Sequence, residues 1–224
     1  MCGRFTLVTP FVALTERFHA AAPRDLRPRY NIAPGQDILC VIRDGENRIE
    51  PFRWGLIPSW AKDPAIGNRM INARAETVAE KPSFRRAFAK HRCLVVADGF
   101  YEWRKVGKTK VPVYIFLKSK KAFGFAGLYE NWKTPDGKEI RTCTIITTDA
   151  NDLVRPIHDR MPVILHEDEE DRWLDPGENS RERLQGLLQP YPSEGMDAYD
   201  VTTGVNNIRH DTPDCITPAS LPTR

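Results

Sequence analysis

A chain of 224 residues, 41% hydrophobic and 28% charged, is long enough to bury a sizeable core and has the make-up of a soluble globular protein. It holds no apolar run near the roughly 18 residues of a membrane helix and no signal-peptide core, which predicts a cytoplasmic protein without membrane partners. The formal net charge of +3 is too small to mark a nucleic-acid binder, and cysteines at 2, 40, 93, 143 and 215 lack zinc-site spacing, so neither metal nor cofactor is expected.

The chain opens with Met1-Cys2-Gly3-Arg4-Phe5-Thr6-Leu7, and residues 5–8 read as a strand. Thr9-Pro10 offers an N-cap hydroxyl and a first-turn proline, and Phe11, Leu14 and Phe18 share a face, which predicts a short amphipathic helix over 10–20. Proline and arginine make 23–29 irregular. Residues 38–42 and 49–54 flank Asp44-Gly45-Glu46-Asn47 as a hairpin. Glycine and proline between Trp54 and Trp60 predict a shaped loop, and the following stretch 61–69 reads as a variable one. A helix is expected near 82–90, then a buried strand over the apolar run 93–97. Strands follow at 111–117, 122–128 and 140–147, with the turn Pro135-Asp136-Gly137 before the last. A further strand is expected at 163–165. Helices follow near 168–174, where the acidic run 167–171 suits a helix N-terminus, and near 180–188. Residues 211–224 read as a flexible tail. No repeat or linker-like break interrupts the chain. The expected architecture is therefore one α+β domain over 1–224, with a mainly antiparallel, barrel-like core surrounded by short helices.

Cys2 can become the N-terminus itself. Loss of Met1 would leave an amine and a thiol two carbons apart, with ordinary pKa values of about 7.7–8.0 and about 8.5, so both are partly unprotonated near neutrality. Such a pair condenses with an aldehyde to an imine and closes it as a thiazolidine ring. The competing reading, a small residue at a ragged end, stands level on these residues alone. Glu102 lies between Tyr101 and Trp103, where desolvation would raise its pKa as proton transfer requires; a water-facing strand-end glutamate is the equal alternative. His158, beside Asp159 and Arg160, is a candidate proton carrier or a structural histidine. Asn72 can hold an amine or a sugar oxygen, or cap a helix beginning at Ala73. Arg4, Arg74, Arg85, Arg86 and Arg160 are candidate phosphate contacts, with Trp54 and Trp60 as base-stacking faces; taken singly, each reads better as a surface arginine or a core tryptophan.

Six motifs occur in order: the opening Met-Cys-Gly-Arg-Phe, Tyr30-Asn31-Ile32-Ala33-Pro34-Gly35, Trp54-Gly55-Leu56-Ile57-Pro58, Ile71-Asn72-Ala73-Arg74-Ala75-Glu76-Thr77, Asp98-Gly99-Phe100-Tyr101-Glu102-Trp103 and Ile157-His158-Asp159-Arg160-Met161-Pro162. Together they resemble the SOS-response-associated peptidase (SRAP) family of abasic-site-processing proteins, over residues 2 to about 210. The resemblance implies that Cys2 crosslinks to abasic sites in single-stranded DNA, that Asn72 positions the amine and the opened sugar, that Glu102 shuttles protons, and that His158 assists ring opening. It also implies a peptidase-like removal of Met1. An abasic deoxyribose opens to an aldehyde, the target an aminothiol demands. The expected partner is thus single-stranded DNA containing abasic sites, met by a cytoplasmic monomer that is nucleoid-associated when bound to DNA. Two other function classes fit the residues: an N-terminal-nucleophile cysteine hydrolase acting on amides, and a non-catalytic single-strand-binding module.

Overall fold

A computed structural model describes residues 2–21 and 26–219. Met1, whose removal the reading of Cys2 requires, lies outside the described residues, as do 22–25 and 220–224. The elements, in order, are β1 (Phe5–Leu7), α1 (Phe11–Phe18), β2 (Arg29–Ile32), β3 (Asp37–Asp44), β4 (Glu46–Trp54), β5 (Asn72–Arg74), α2 (Arg85–Lys90), β6 (Arg92–Ala97), β7 (Gly99–Val106), β8 (Thr109–Leu117), β9 (Phe123–Lys133), β10 (Glu139–Asp149), β11 (Arg160–Pro162), α3 (Glu167–Leu174), α4 (Arg181–Gly186) and β12 (Met196–Asp200). Short 3₁₀ turns lie between some of them, including Pro64–Arg69, and after β12, including Pro213–Ile216.

Five strands close into a barrel in the order β10-β4-β3-β6-β9, with β9 returning to β10. Every contact in the ring is antiparallel except β4 on β10. Closure removes exposed edges, which suits the continuous apolar run of β6, buried at every position. β5 and β11 extend the barrel sheet from β10. A second, open sheet runs β12-β8-β7-β1-β2, antiparallel throughout. Phe5 of β1 packs onto Trp54 and Phe125 of the barrel, at ring-centre distances of 5.2 and 6.0 Å, and so joins the two sheets.

The antiparallel α+β architecture with a barrel is the expected one, and the hairpin, helices and apolar strands fall near their predicted places. Several expectations are corrected. The stretch following 93–97, where the sequence placed Glu102 only at a strand end, is a full strand of its own, β7; polar and charged residues fill its outer half and hide its alternation. β2, β5 and β12 have no apolar pattern to find and exist through pairing alone. The strand expected at 163–165 sits instead at 160–162, where it pairs with Thr147 to Asp149, while Ile164 makes only an isolated bridge to Phe125. Thr9 does not cap α1: Pro10 takes that position and the Thr9 hydroxyl goes to Asp98. Nor are residues 211–219 a loose tail. The Asp211 carboxylate accepts hydrogen bonds from the Tyr30 and Asn31 backbone N–H groups, Cys215 is buried, and Pro218 bridges to Val201.

Candidate active site

The site is built where β1 lies against β7. Phe5 pairs with Phe100 and Thr6 with Gly99, and the Tyr101 N–H donates to the Arg4 carbonyl at 2.9 Å, which carries residues 2–4 alongside Glu102 and Trp103. Asp98 pins the other end of β1. Its carboxylate accepts from the Thr6 hydroxyl at 2.6 Å and from the Val8 and Thr9 N–H groups at 2.6 and 2.8 Å. Gly99 follows because a Cβ there would stand 2.2 Å from the Tyr114 hydroxyl, which itself bonds Thr6 at 3.1 Å. Two residues of the Asp-Gly-Phe-Tyr-Glu-Trp motif thus serve to fix β1, and with it the position of Cys2.

Cys2 is fully buried, and burial raises its thiol pKa far above the ordinary value; the nearby Glu102 carboxylate adds to the rise, while a backbone hydrogen bond from Arg4 opposes it. The thiol is therefore protonated at neutral pH. Glu102, 3% exposed, is also shifted up by burial, with His158 among the groups that oppose the shift. Arg4, Glu102, Trp103, Lys110, His158 and Asn206 line one open pocket of about 470 Å³. In that pocket His158 Nδ1 accepts the Arg160 N–H at 3.0 Å and lies 2.8 Å from Asp159 Oδ1. One nitrogen cannot accept from Arg160 and donate to Asp159 at once. A buried thiol, a carboxyl with a raised pKa and an imidazole held by backbone are the parts of a proton-transfer site.

The remaining predicted residues divide. Asn72 lies on β5, paired with Ile145, so it caps no helix. It does not line the pocket; its Nδ2 donates to the Ile71 carbonyl at 3.0 Å, and its Oδ1 is buried without a hydrogen-bond partner among the described residues. Trp54 is a core residue, 1% exposed, with its indole N–H on the Ile71 carbonyl, and offers no stacking face. Trp60 is 58% exposed. Arg160 is buried and ion-paired with Glu76 at 2.6 Å and Asp149 at 2.7 Å, so its charge is spent inside the protein rather than offered to a phosphate. Arg74, Arg85 and Arg86 are exposed, and Arg86 donates to the Ser59 hydroxyl at 2.5 Å. None of these three lines the pocket.

Residue-by-residue reading missed Trp103, Lys110, Asn206 and the partner of Arg4. The Arg4 guanidinium lies 5.7 Å from the Trp103 ring centre and donates to Asn31 Oδ1 and the Val205 carbonyl, each at 2.7 Å. Asn31, fully buried, donates in turn to the carbonyls of Val205, Asn207 and His210. Asn206 takes the Trp103 indole N–H at 2.7 Å. The segment around 203–211 is thereby strapped against the pocket. The signal for Asn31 and Trp103 was their place in the motifs; Lys110 and Asn206 carry none in sequence.

No group of three or more His, Cys, Asp or Glu side chains suited to a metal ion occurs among the described residues, and none of their helices is long and apolar enough to cross a membrane. Comparison with known proteins gives concordant matches. The abasic site processing protein YoqW of Bacillus subtilis is 51% identical over 221 residues, 96% of this chain and 99% of that protein. HMCES of Gallus gallus, an abasic site processing protein, is 36% identical over 87% of this chain and 67% of its own length. A crystal structure of a Bacteroides thetaiotaomicron protein superposes with a TM-score of 0.90 at 31% identity, covering 97% of this chain and all of that one. The model of one family matches residues 1–208, and the chain belongs to that family, SOS response associated peptidase (SRAP).

Proposed function

We propose that this protein processes abasic sites in DNA, and that it does so by crosslinking to them in single strands through Cys2 once Met1 has left. The observation that carries the reading is the convergence of Glu102 and His158 on one open pocket, next to a Cys2 thiol that β1 and Asp98 hold in place. Relatives named as abasic site processing proteins, similar over almost the whole chain, support it.

The Cys2 amine adds to the aldehyde carbon of the opened sugar. The resulting carbinolamine loses water when Glu102, whose pKa burial raises, donates a proton to the departing oxygen, which leaves a protonated C=N bond and the Glu102 carboxylate. The thiol then adds across that bond: its proton passes to the Glu102 carboxylate, sulfur bonds to carbon, and the C=N electron pair returns to nitrogen, which keeps its own proton. One water is lost overall. Because thiol and imine belong to one residue, closure is intramolecular, for which effective molarities run to about 10⁵–10⁸ M in well-oriented cases. His158, on the pocket wall, assists opening of the sugar ring, and Asn72, which does not line that wall, is assigned the positioning of the Cys2 amine through its unpaired Oδ1.

Intact-mass analysis after mixing with an oligonucleotide bearing one abasic site tests this directly. The expected species is the protein without Met1 plus the oligonucleotide less one water. No adduct from the wild type, or an equal yield from Cys2→Ala, would sink the reading.

A further inference from the structure

We infer that the tip of the β7–β8 hairpin is an arm that grips the phosphate backbone of the strand as it leaves the pocket, an inference resting on the proposal that the pocket receives a lesion in single-stranded DNA. The chain as a whole nearly balances 33 Lys and Arg against 30 Asp and Glu. Between Trp103 and Tyr129, however, it has seven basic residues and no acidic one: Arg104, Lys105, Lys108, Lys110, Lys118, Lys120 and Lys121. Arg104 is already matched by Asp200, at 2.6 and 2.8 Å. Lys105, Lys108 and Lys110 are exposed, and none has an ion-pair partner among the described residues.

The register makes this more than a charged surface. Lys105 stands directly opposite Lys110 across the two strands, a like-charge pair that destabilises a sheet. Gly107, at φ +59°, turns the chain so that Lys108 joins them at the tip. Side chains alternate along a strand, so Lys105 shares a face with Trp103, two residues and about 6.6 Å nearer the pocket. Lys110 itself lines the pocket with Trp103 and Glu102. One face thus presents an aromatic ring at the reacting groups and then a cluster of unmatched ammonium groups. That is the order in which a single strand offers a stacked base and the next phosphates. A polyanion laid here also relieves the Lys105–Lys110 repulsion. Lys118, Lys120 and Lys121 lie beyond the far end of β8, about 26 Å away at strand spacing, and are not part of the arm.

The test compares Lys105→Gln/Lys108→Gln with its parent, both in a Cys2→Ala background so that binding is read without crosslinking; Lys110 is left intact because it lines the pocket. Anisotropy is measured across a salt series with abasic single strands of about 20 nucleotides and with a trinucleotide. For two lost phosphate contacts the log–log salt slope should shrink by about 1.4, and affinity for the long strand at 0.1 M salt should fall about 25-fold. The trinucleotide should lose far less, and thermal stability should hold or rise as the repulsion goes. An unchanged slope with the long strand, equal losses with both lengths, or a less stable double variant would overturn the arm. Adduct formation by the wild type reports separately on the pocket, so the arm can fail while the reading of the pocket stands.

Discussion

The barrel and the open sheet each bury cysteine, and the contrast between them shows what burial does and does not confer. Cys40, Cys93 and Cys143 sit inside the barrel and Cys2 at the start of the open sheet; all four are 0% exposed, and burial raises the pKa of each thiol. Their neighbours differ. Cys40 meets the thiols of Cys93 and Cys143, groups no better able to exchange a proton than itself. Cys2 meets Glu102, itself shifted up, on the wall of a pocket open to solvent. The three barrel thiols meet one another inside a closed ring of strands, whereas β1, β7 and β8 bring polar side chains together under the 203–211 strap. Buried thiols are thus inert by default, and chemistry requires a titratable partner with access.

Glu102→Gln should break the contrast most sharply. Removing the proposed proton carrier should slow adduct formation by about 10²- to 10⁴-fold in single-turnover crosslinking, the usual range for a general acid–base group, whereas Cys40→Ala should leave the rate unchanged. If both variants behaved alike, the open sheet would hold no privileged site.

Trp54→Ala probes the barrel side. Truncating this buried ring, which Phe5 of β1 packs against, should cost about 3–5 kcal/mol in urea unfolding. Were Trp54 a stacking face instead, stability would be kept and affinity for single strands lost.

The smallest effect sharpens the comparison through pH. Glu102 has a folded-state pKa above its ordinary 4.5, so between those values the folded protein binds more protons than the unfolded chain. Its contribution to stability is therefore complete below the ordinary value and lost as pH rises through the raised one. Thermal unfolding of Glu102→Gln should match the wild type in acid and exceed it near neutrality. A gap that closed with rising pH would contradict the assigned direction.

Much of this was legible in advance because it is local. The apolar run of β6, the Asp44-Gly45 hairpin and the helix faces follow from periodicity and turn chemistry, whereas Glu102 between two aromatic residues left desolvation and a water-facing position level until the structure showed it buried. Misreadings arose where a partner distant in sequence decides. Trp54 and Arg160 looked available because neither their burial nor the Glu76 and Asp149 carboxylates beside Arg160 can be seen along the chain. Residues 211–219 looked loose because the groups that tie them down, the Tyr30 and Asn31 N–H groups, lie some 180 residues upstream.

By itself, then, the order of amino acids determined the antiparallel α+β class, the family motifs and the aminothiol potential of Cys2, since these depend on side-chain identity and short-range pattern. Only the tertiary structure decided which polar residues share a pocket and which are consumed in holding it. That the Asp and Gly beside Glu102 serve to pin β1, while Lys110 and Asn206 from remote strands and turns line the site, is a matter of strand pairing and register. Such pairings are long-range contacts, and their geometry exists only once the two sheets have packed.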